Sequence, residues 1–293
     1  MINSKKNILI NSLRKNDLLQ CPICGKSFCM DYNSLICINK HRFDIAKQGY
    51  ITILKASKLN VDHHYSKELF VNRRQIINNG FFSLVENKVM EYVEQHCNLD
   101  NINYNVLDLG CGEGSICNRI IQKVGINKNI ILLDYSKNAI KLCTDYINDC
   151  VIPIVGDISF LPIKDNTIDV ILNFLSPITP KESIRVLKED GIVIKVIPTR
   201  NYLKEFRDKI NKDYTTDVEG NLLKSFDIIS SDVINYTYSL ENGDLKNIVE
   251  MTPLMSNFKS TTLCLDKITI ELKVLVLKKK LIQNSSNNFI VQG

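Results

Sequence analysis

The chain of 293 residues reads as an α/β protein, and three observations make that prediction. From about residue 105 onward, short apolar runs of strand length alternate with segments of helical periodicity. Val106-Leu107-Asp108-Leu109 runs into Gly110-Cys111-Gly112-Glu113-Gly114 and then into a helical stretch from Ser115 to Val124, which is a strand, a glycine turn and a helix. Near the N-terminus, Cys21-Pro22-Ile23-Cys24 is followed by Cys37 and His41, a spacing suited to one tetrahedral metal ion. Together these predict a Rossmann-like sheet preceded by a small N-terminal zinc-binding module.

Apolar residues make up 44% of the chain, and no uninterrupted apolar run reaches the length of a membrane span. Ile8-Leu9-Ile10 is broken by Asn11 and by Arg14-Lys15, which is not the pattern of a secretory leader, so a cytoplasmic protein is expected. Cys29, Cys97, Cys117, Cys143, Cys150 and Cys264 show no pairing logic and read as reduced thiols. The net charge of +5 hides an asymmetry: residues 1–80 carry 13 Lys and Arg against 5 Asp and Glu, and the rest 24 against 27. A polyanion would meet the basic N-terminal end first, but a solvated basic face accounts for such charge equally well.

Residues 1–18 are polar with a weak helical stripe. Cys21, Cys24, Cys37 and His41 fill a tetrahedron, which leaves no open position for catalysis and makes the zinc structural. For modules of this size the metal typically supplies roughly 10–16 kcal/mol of folding free energy. The segment from Arg42 to Leu54 interleaves basic, aromatic and glycine residues, including Arg42, Lys47 and Tyr50, as expected where bases stack and phosphates are neutralised. Residues 1–54 are therefore read as a zinc-binding, RNA-recognition module. Residues 55–100 follow as a linker and helical wall: His63 and His64 in a solvated loop, a helix from Ser66 to Gly80 bearing Glu68, Arg73 and Arg74, and a second helix from Phe82 to Cys97.

In the large domain, residues 101–280, three glycines at alternate positions let the backbone turn sharply and approach a ligand closely beside a helix N-terminus. The next run, Asn129 to Leu133, ends in Asp134, an acid placed to accept hydrogen bonds from ribose hydroxyls. The third, Val151 to Val155, ends in Gly156-Asp157, where a carboxylate can meet an adenine amino group. Thr167 to Asn173 is the fourth strand and continues into Phe174-Leu175-Ser176-Pro177. A helix at 180–188, a strand at 191–198, a helix from Tyr202 to Lys212, a strand from Ser231 to Leu240, a turn at Asn242-Gly243 and a strand from Lys267 to Leu277 complete the alternation. Residues 281–293 read as a flexible tail.

Three acid-tipped strands in this order resemble the class I S-adenosylmethionine-dependent methyltransferases. The resemblance implies a cofactor site of Asp108, Gly110, Cys111, Gly112, Glu113, Gly114, Asp134, Tyr135, Asp157 and Ile158. The knuckle, followed directly by Phe43, Asp44, Ala46, Lys47, Gly49 and Tyr50, is similar to a narrower family, the RlmA group of 23S ribosomal RNA guanine-N1 methyltransferases, over about residues 18–280. That similarity implies S-adenosylmethionine and structural zinc as cofactors and an rRNA hairpin loop as partner. It also implies a substrate pocket of Asn173, Ser176 and Pro177, and RNA contacts from Arg42, Lys47, Tyr50, Arg73 and Arg74. A homodimer fits this reading, and some relatives confer macrolide-type antibiotic resistance. The chain departs from the family at Tyr65, at Tyr202, at Glu189-Asp190-Gly191 and at Leu254-Met255-Ser256. These departures fall on the substrate side, so two other readings stay open: a small-molecule methyltransferase on the same scaffold, and a non-catalytic RNA-binding protein.

Overall fold

A computed structural model of the chain describes residues 4–55, 65–96, 104–125, 129–210, 218–241, 243–252 and 264–280. His63 and His64, Asn242 of the expected turn, Leu254-Met255-Ser256 and the 281–293 tail lie outside the described residues. The polar N-terminal stretch forms α1 (Lys5–Lys15), capped by Ser4, whose hydroxyl accepts from the Asn7 N–H, and it buries Leu9, Ile10 and Leu13. A three-stranded antiparallel sheet follows: β1 (Phe28–Asp31), β2 (Ser34–Cys37) and β3 (Arg42–Asp44). Next come β4 (Ile51–Ile53), α2 (Lys67–Asn78) and α3 (Ser83–His96).

The large domain opens with β5 (Asn105–Leu109), buried throughout, followed by α4 (Ser115–Val124), β6 (Asn129–Asp134), α5 (Lys137–Cys143) and β7 (Val151–Gly156). Then come β8 (Ile168–Phe174), α6 (Pro180–Val186), β9 (Leu187–Pro198), α7 (Lys204–Ile210) and α8 (Val218–Leu222). The last described elements are β10 (Phe226–Ser239), α9 (Asp244–Met251) and β11 (Lys267–Lys279). The main sheet has eight strands in the order β10-β11-β9-β8-β5-β6-β7-β4. Pairing is parallel from β4 to β9, while β11 runs antiparallel to both β9 and β10. The order reverses between β5 and β8, and ligands of open α/β sheets bind in the crevice at such a point, outside the carboxyl ends of the strands.

The boundary expected at residue 54 does not separate two bodies. β4 belongs to the main sheet, where Ile51 and Ile53 pair in parallel with Ile154 and Gly156 of β7 and are fully buried. Apolar residues at alternate positions need a covered strand site, and the edge beside β7 supplies one. Leu9 and Leu13 of α1, Leu35 and Phe43 of the small sheet and Ile152 and Ile154 of β7 share one hydrophobic core. Tyr50, expected to stack on RNA, is 4% exposed. It closes a turn in which the Ala46 N–H donates to the Tyr50 carbonyl, and Gly49, at φ +87°, presses against the Lys5 backbone so closely that a Cβ would stand 2.9 Å from it. Chain reversal in that segment requires the glycine and buries the tyrosine.

Candidate functional site

Two sites are built by the fold. At the first, Cys21, Cys24, Cys37 and His41 bring their ligand atoms within 4.8 Å of one another. Nδ1 of His41 lies 3.4 Å from the sulfurs of Cys21 and Cys37, and the Cys24 and Cys37 sulfurs are 3.7 Å apart. A tetrahedron with zinc–sulfur bonds of about 2.3 Å has edges of about 3.8 Å, so the donor set fits zinc in both chemistry and size.

The second site is a cavity of about 390 Å³ at the sheet's reversal point. Gly110, Asp134, Tyr135, Asp157 and Ile158 line it, as expected of a nucleoside cofactor site, and so do Ser176 and Pro177. Asp134 sits at the tip of β6 with Oδ2 accepting from the Gly112 N–H and Oδ1 from the Ser136 N–H, both at 2.8 Å. Asp157 accepts from the Ser159 N–H at 2.8 Å. Gly110 has φ +74°, and a Cβ there would fall 1.8 Å from the Ser176 hydroxyl oxygen, which is why the first turn glycine has no substitute.

The remaining expected cofactor residues lie behind the cavity. Asp108 is buried, the Cys117 thiol donates to it, and burial pushes it up to about 7. The Glu113 carboxylate is turned to the start of α4, where it accepts from the Ser115 hydroxyl at 2.5 Å and N–H at 3.2 Å. Cys111, Gly112 and Gly114 shape the turn without lining the cavity. Asn173 is 1% exposed, and its amide is spent as a brace, donating to the Leu109 carbonyl at 2.6 Å and to the Pro177 carbonyl at 3.1 Å. It braces the end of β8 against the loop that carries Ser176 and Pro177.

The expected RNA contacts divide in the same way. Arg42 and Lys47 are exposed on the small module, with Arg42 paired to Asp31 and Asp44. Arg74 is turned inward: Nε donates to Glu113 at 2.9 Å, and the guanidinium also reaches the carbonyls of Glu113 and Leu142 and the carboxylate of Asp145. A buried carboxylate at the glycine turn demands a cation, and Arg74 supplies it. Arg73, one residue earlier on α2, lines the cofactor cavity with Leu69 and Phe70. Phe174 and Leu175, which follow the fourth expected strand, and Met251 also line it, as does Phe70, which was not singled out from the sequence. The spacing of Leu69, Phe70 and Arg73 on one helix face was the available signal. Tyr65 stands at the same cavity, 6.1 Å ring to ring from Phe70, whereas Tyr202 packs against the core and burial raises its phenol.

A parallel sheet with a glycine turn after its central strand, and acids at the tips of the next two around a nucleoside-sized cavity, defines a class I methyltransferase fold. The chain belongs to the methyltransferase domain family, whose model matches residues 100–250, and a second model, described as RlmA, N-terminal, matches residues 19–59. A Bacillus subtilis protein named "Putative 23S rRNA (guanine-N(1)-)-methyltransferase YxjB" is 29% identical over 279 residues, covering 88% of this chain and 96% of that one. The 23S rRNA (guanine(748)-N(1))-methyltransferase of Streptomyces fradiae is 25% identical over 249 residues, covering 82% of this chain and 87% of the other. S-adenosylmethionine is the cofactor this domain implies, and the Cys3His cluster is the zinc site of the N-terminal ribbon. No helix among the described residues is long and apolar enough to cross a membrane.

Proposed function

We propose that the chain methylates N1 of a guanine in a 23S rRNA hairpin. The observation that carries this reading is the zinc ribbon and the methyltransferase domain in one chain, which relatives named for that reaction match over more than four fifths of its length. Asp134 would take the ribose hydroxyls, Asp157 the adenine amino group with Tyr135 and Ile158 beside the ring, and Arg73 the methionine carboxylate. S-adenosylmethionine, when bound, supplies an activated methyl group on a positive sulfonium. What the chain contributes is alignment: Leu175, Ser176 and Pro177, braced by Asn173, form the wall against which the base would be held. Guanine N1 is protonated and paired in a helix, so an unpaired loop base is the accessible target. Exposed Arg42 and Lys47 would meet the RNA backbone.

The test is transfer of a labelled methyl group to RNA lacking the modification, read by nucleoside mass spectrometry, with Asp134→Ala as the control. A 1-methylguanosine signal that the control loses supports the reading. Cofactor binding without incorporation into RNA would move the substrate to small molecules. The free thiols suit a reducing, cytoplasmic setting, and scattering in solution would decide between monomer and homodimer.

A further inference from the structure

Beside the cofactor cavity lies a larger one of about 690 Å³, and Leu175, Ser176 and Pro177 line both. One residue lining the larger cavity ionises: Lys195, inside the apolar run of β9 and 2% exposed. Among the described residues, the groups that meet it or line the same cavity from other elements are neutral. They are Asn173 of β8, Ser176 of the loop, Pro180 of α6 and Asn221 of α8. Glu219 of α8 turns instead to Lys273 at 2.7 Å, and Glu182 of α6 pairs with Arg185 at 2.7 Å. Among the described residues no carboxylate pairs with Lys195. A buried ammonium without a counter-ion is costly, and burial draws this one down to about 8 from the ordinary 10.5.

Geometry decides what the uncharged amine can do. Nζ donates to Oδ1 of Asn173 and, at 2.8 Å, to the Ser176 carbonyl. Asn173 cannot present its other end, because its Nδ2 already donates to two carbonyls. A neutral amine carries two hydrogens, and both acceptors are in place to take them. The lone pair is left at the remaining tetrahedral position, on a residue that lines the larger cavity beside the residues common to both.

We propose that Lys195 is the general base that takes the N1 proton of a guanine seated in the larger cavity. The assignment rests on the substrate reading given above. The Lys195 amine accepts the proton as N1 forms its bond to the methyl carbon, and the carbon–sulfur bond breaks with its electron pair going to sulfur. The products are 1-methylguanine, the neutral thioether S-adenosylhomocysteine and a lysine ammonium, which returns its proton to solvent.

The test uses the full chain, an unmodified 23S rRNA hairpin fragment and S-adenosylmethionine, with single-turnover rates measured from pH 6 to 10 and the product identified as 1-methylguanosine. The wild-type rate rises about tenfold per pH unit and levels off near 8. Lys195→Met lowers the plateau by about 10²–10⁴-fold and loses the break, and Lys195→Ala regains part of the rate with added methylamine. Affinity for S-adenosylhomocysteine, by calorimetry, stays within about twofold in both variants. Independently of turnover, the folded chain binds this proton less tightly than the unfolded one, so wild-type unfolding free energy rises between pH 8 and 10.5, and Lys195→Met lacks that rise. Should Lys195→Met react at the wild-type rate with the wild-type pH profile, or fail because it no longer binds S-adenosylhomocysteine, the general-base role is overturned. A wild-type chain that methylates no guanine overturns the substrate reading and this assignment with it, and the silence of the wild type itself marks that case.

Discussion

Replacing Arg74 by methionine separates a phosphate contact from a structural clamp. Arg74 holds Glu113, whose side chain is 2% exposed at the start of α4, and ties α2 to α5 through the Leu142 carbonyl and Asp145. Without the guanidinium, the Glu113 carboxylate keeps only the neutral donors of Ser115. Removing one partner of a buried ion pair costs about 3–5 kcal/mol, and since Arg74 is itself 20% exposed, the lower end applies, about 3 kcal/mol. For a chain of this size that corresponds to a Tm lower by roughly 5 °C. Urea denaturation gives the free energy, and filter binding across a salt series gives the slope of RNA affinity. The clamp predicts lost stability with the slope intact. Wild-type stability together with a slope shallower by about one would mean that Arg74 neutralises a phosphate, and the reasoning from burial would fail.

The other predictions concern the cofactor loop, the sheet and the metal. Because burial raises Asp108 from 3.8 to about 7, its contribution is present in full below pH 3.8 and is lost as pH rises through 7. Asp108→Asn should therefore be the more stable protein at pH 8, by about 4 kcal/mol, with the advantage shrinking toward pH 4 in urea titrations. Gly110→Ala drives a methyl group into the Ser176 hydroxyl and should weaken S-adenosylhomocysteine binding at least about tenfold by calorimetry; adding Ser176→Gly should restore part of it. Mass spectrometry should find one zinc per chain. Chelation should lower one shared melting transition rather than remove a small separate one, because the small sheet and β7 have a common core.

The glycine turn, the acids at the strand tips and the metal knot were legible because each depends on residues close in sequence whose chemistry is tied to an element's end. What stayed hidden depends on distant partners. Nothing local to Arg73-Arg74 says that the first faces a cavity and the second a carboxylate 39 residues away. Tyr50 reads as a stacking residue among basic neighbours until Gly49 is seen against α1. The strand at 231–240 runs from 226, since its pairing with β11 continues past the alternation that marked it. Lys195 looks like the solvent-facing residue of a strand, and only the packing of α6 and α8 over that face removes it from water.

The pairing of β4 with β7 also sets an order of events for the nascent chain. The four zinc ligands lie within the first 41 residues, so the knot can close as soon as they emerge. Ile51–Ile53, immediately downstream, must wait for Ile154 and Gly156 to be synthesised, roughly 5–20 s later at ordinary elongation rates. During that interval a finished metal knot carries an apolar strand with no partner, the kind of edge on which other chains can pair. Chains arrested near residue 100 should therefore hold zinc while remaining open to proteolysis at residues 51–53, and chains arrested past β7 should be protected there.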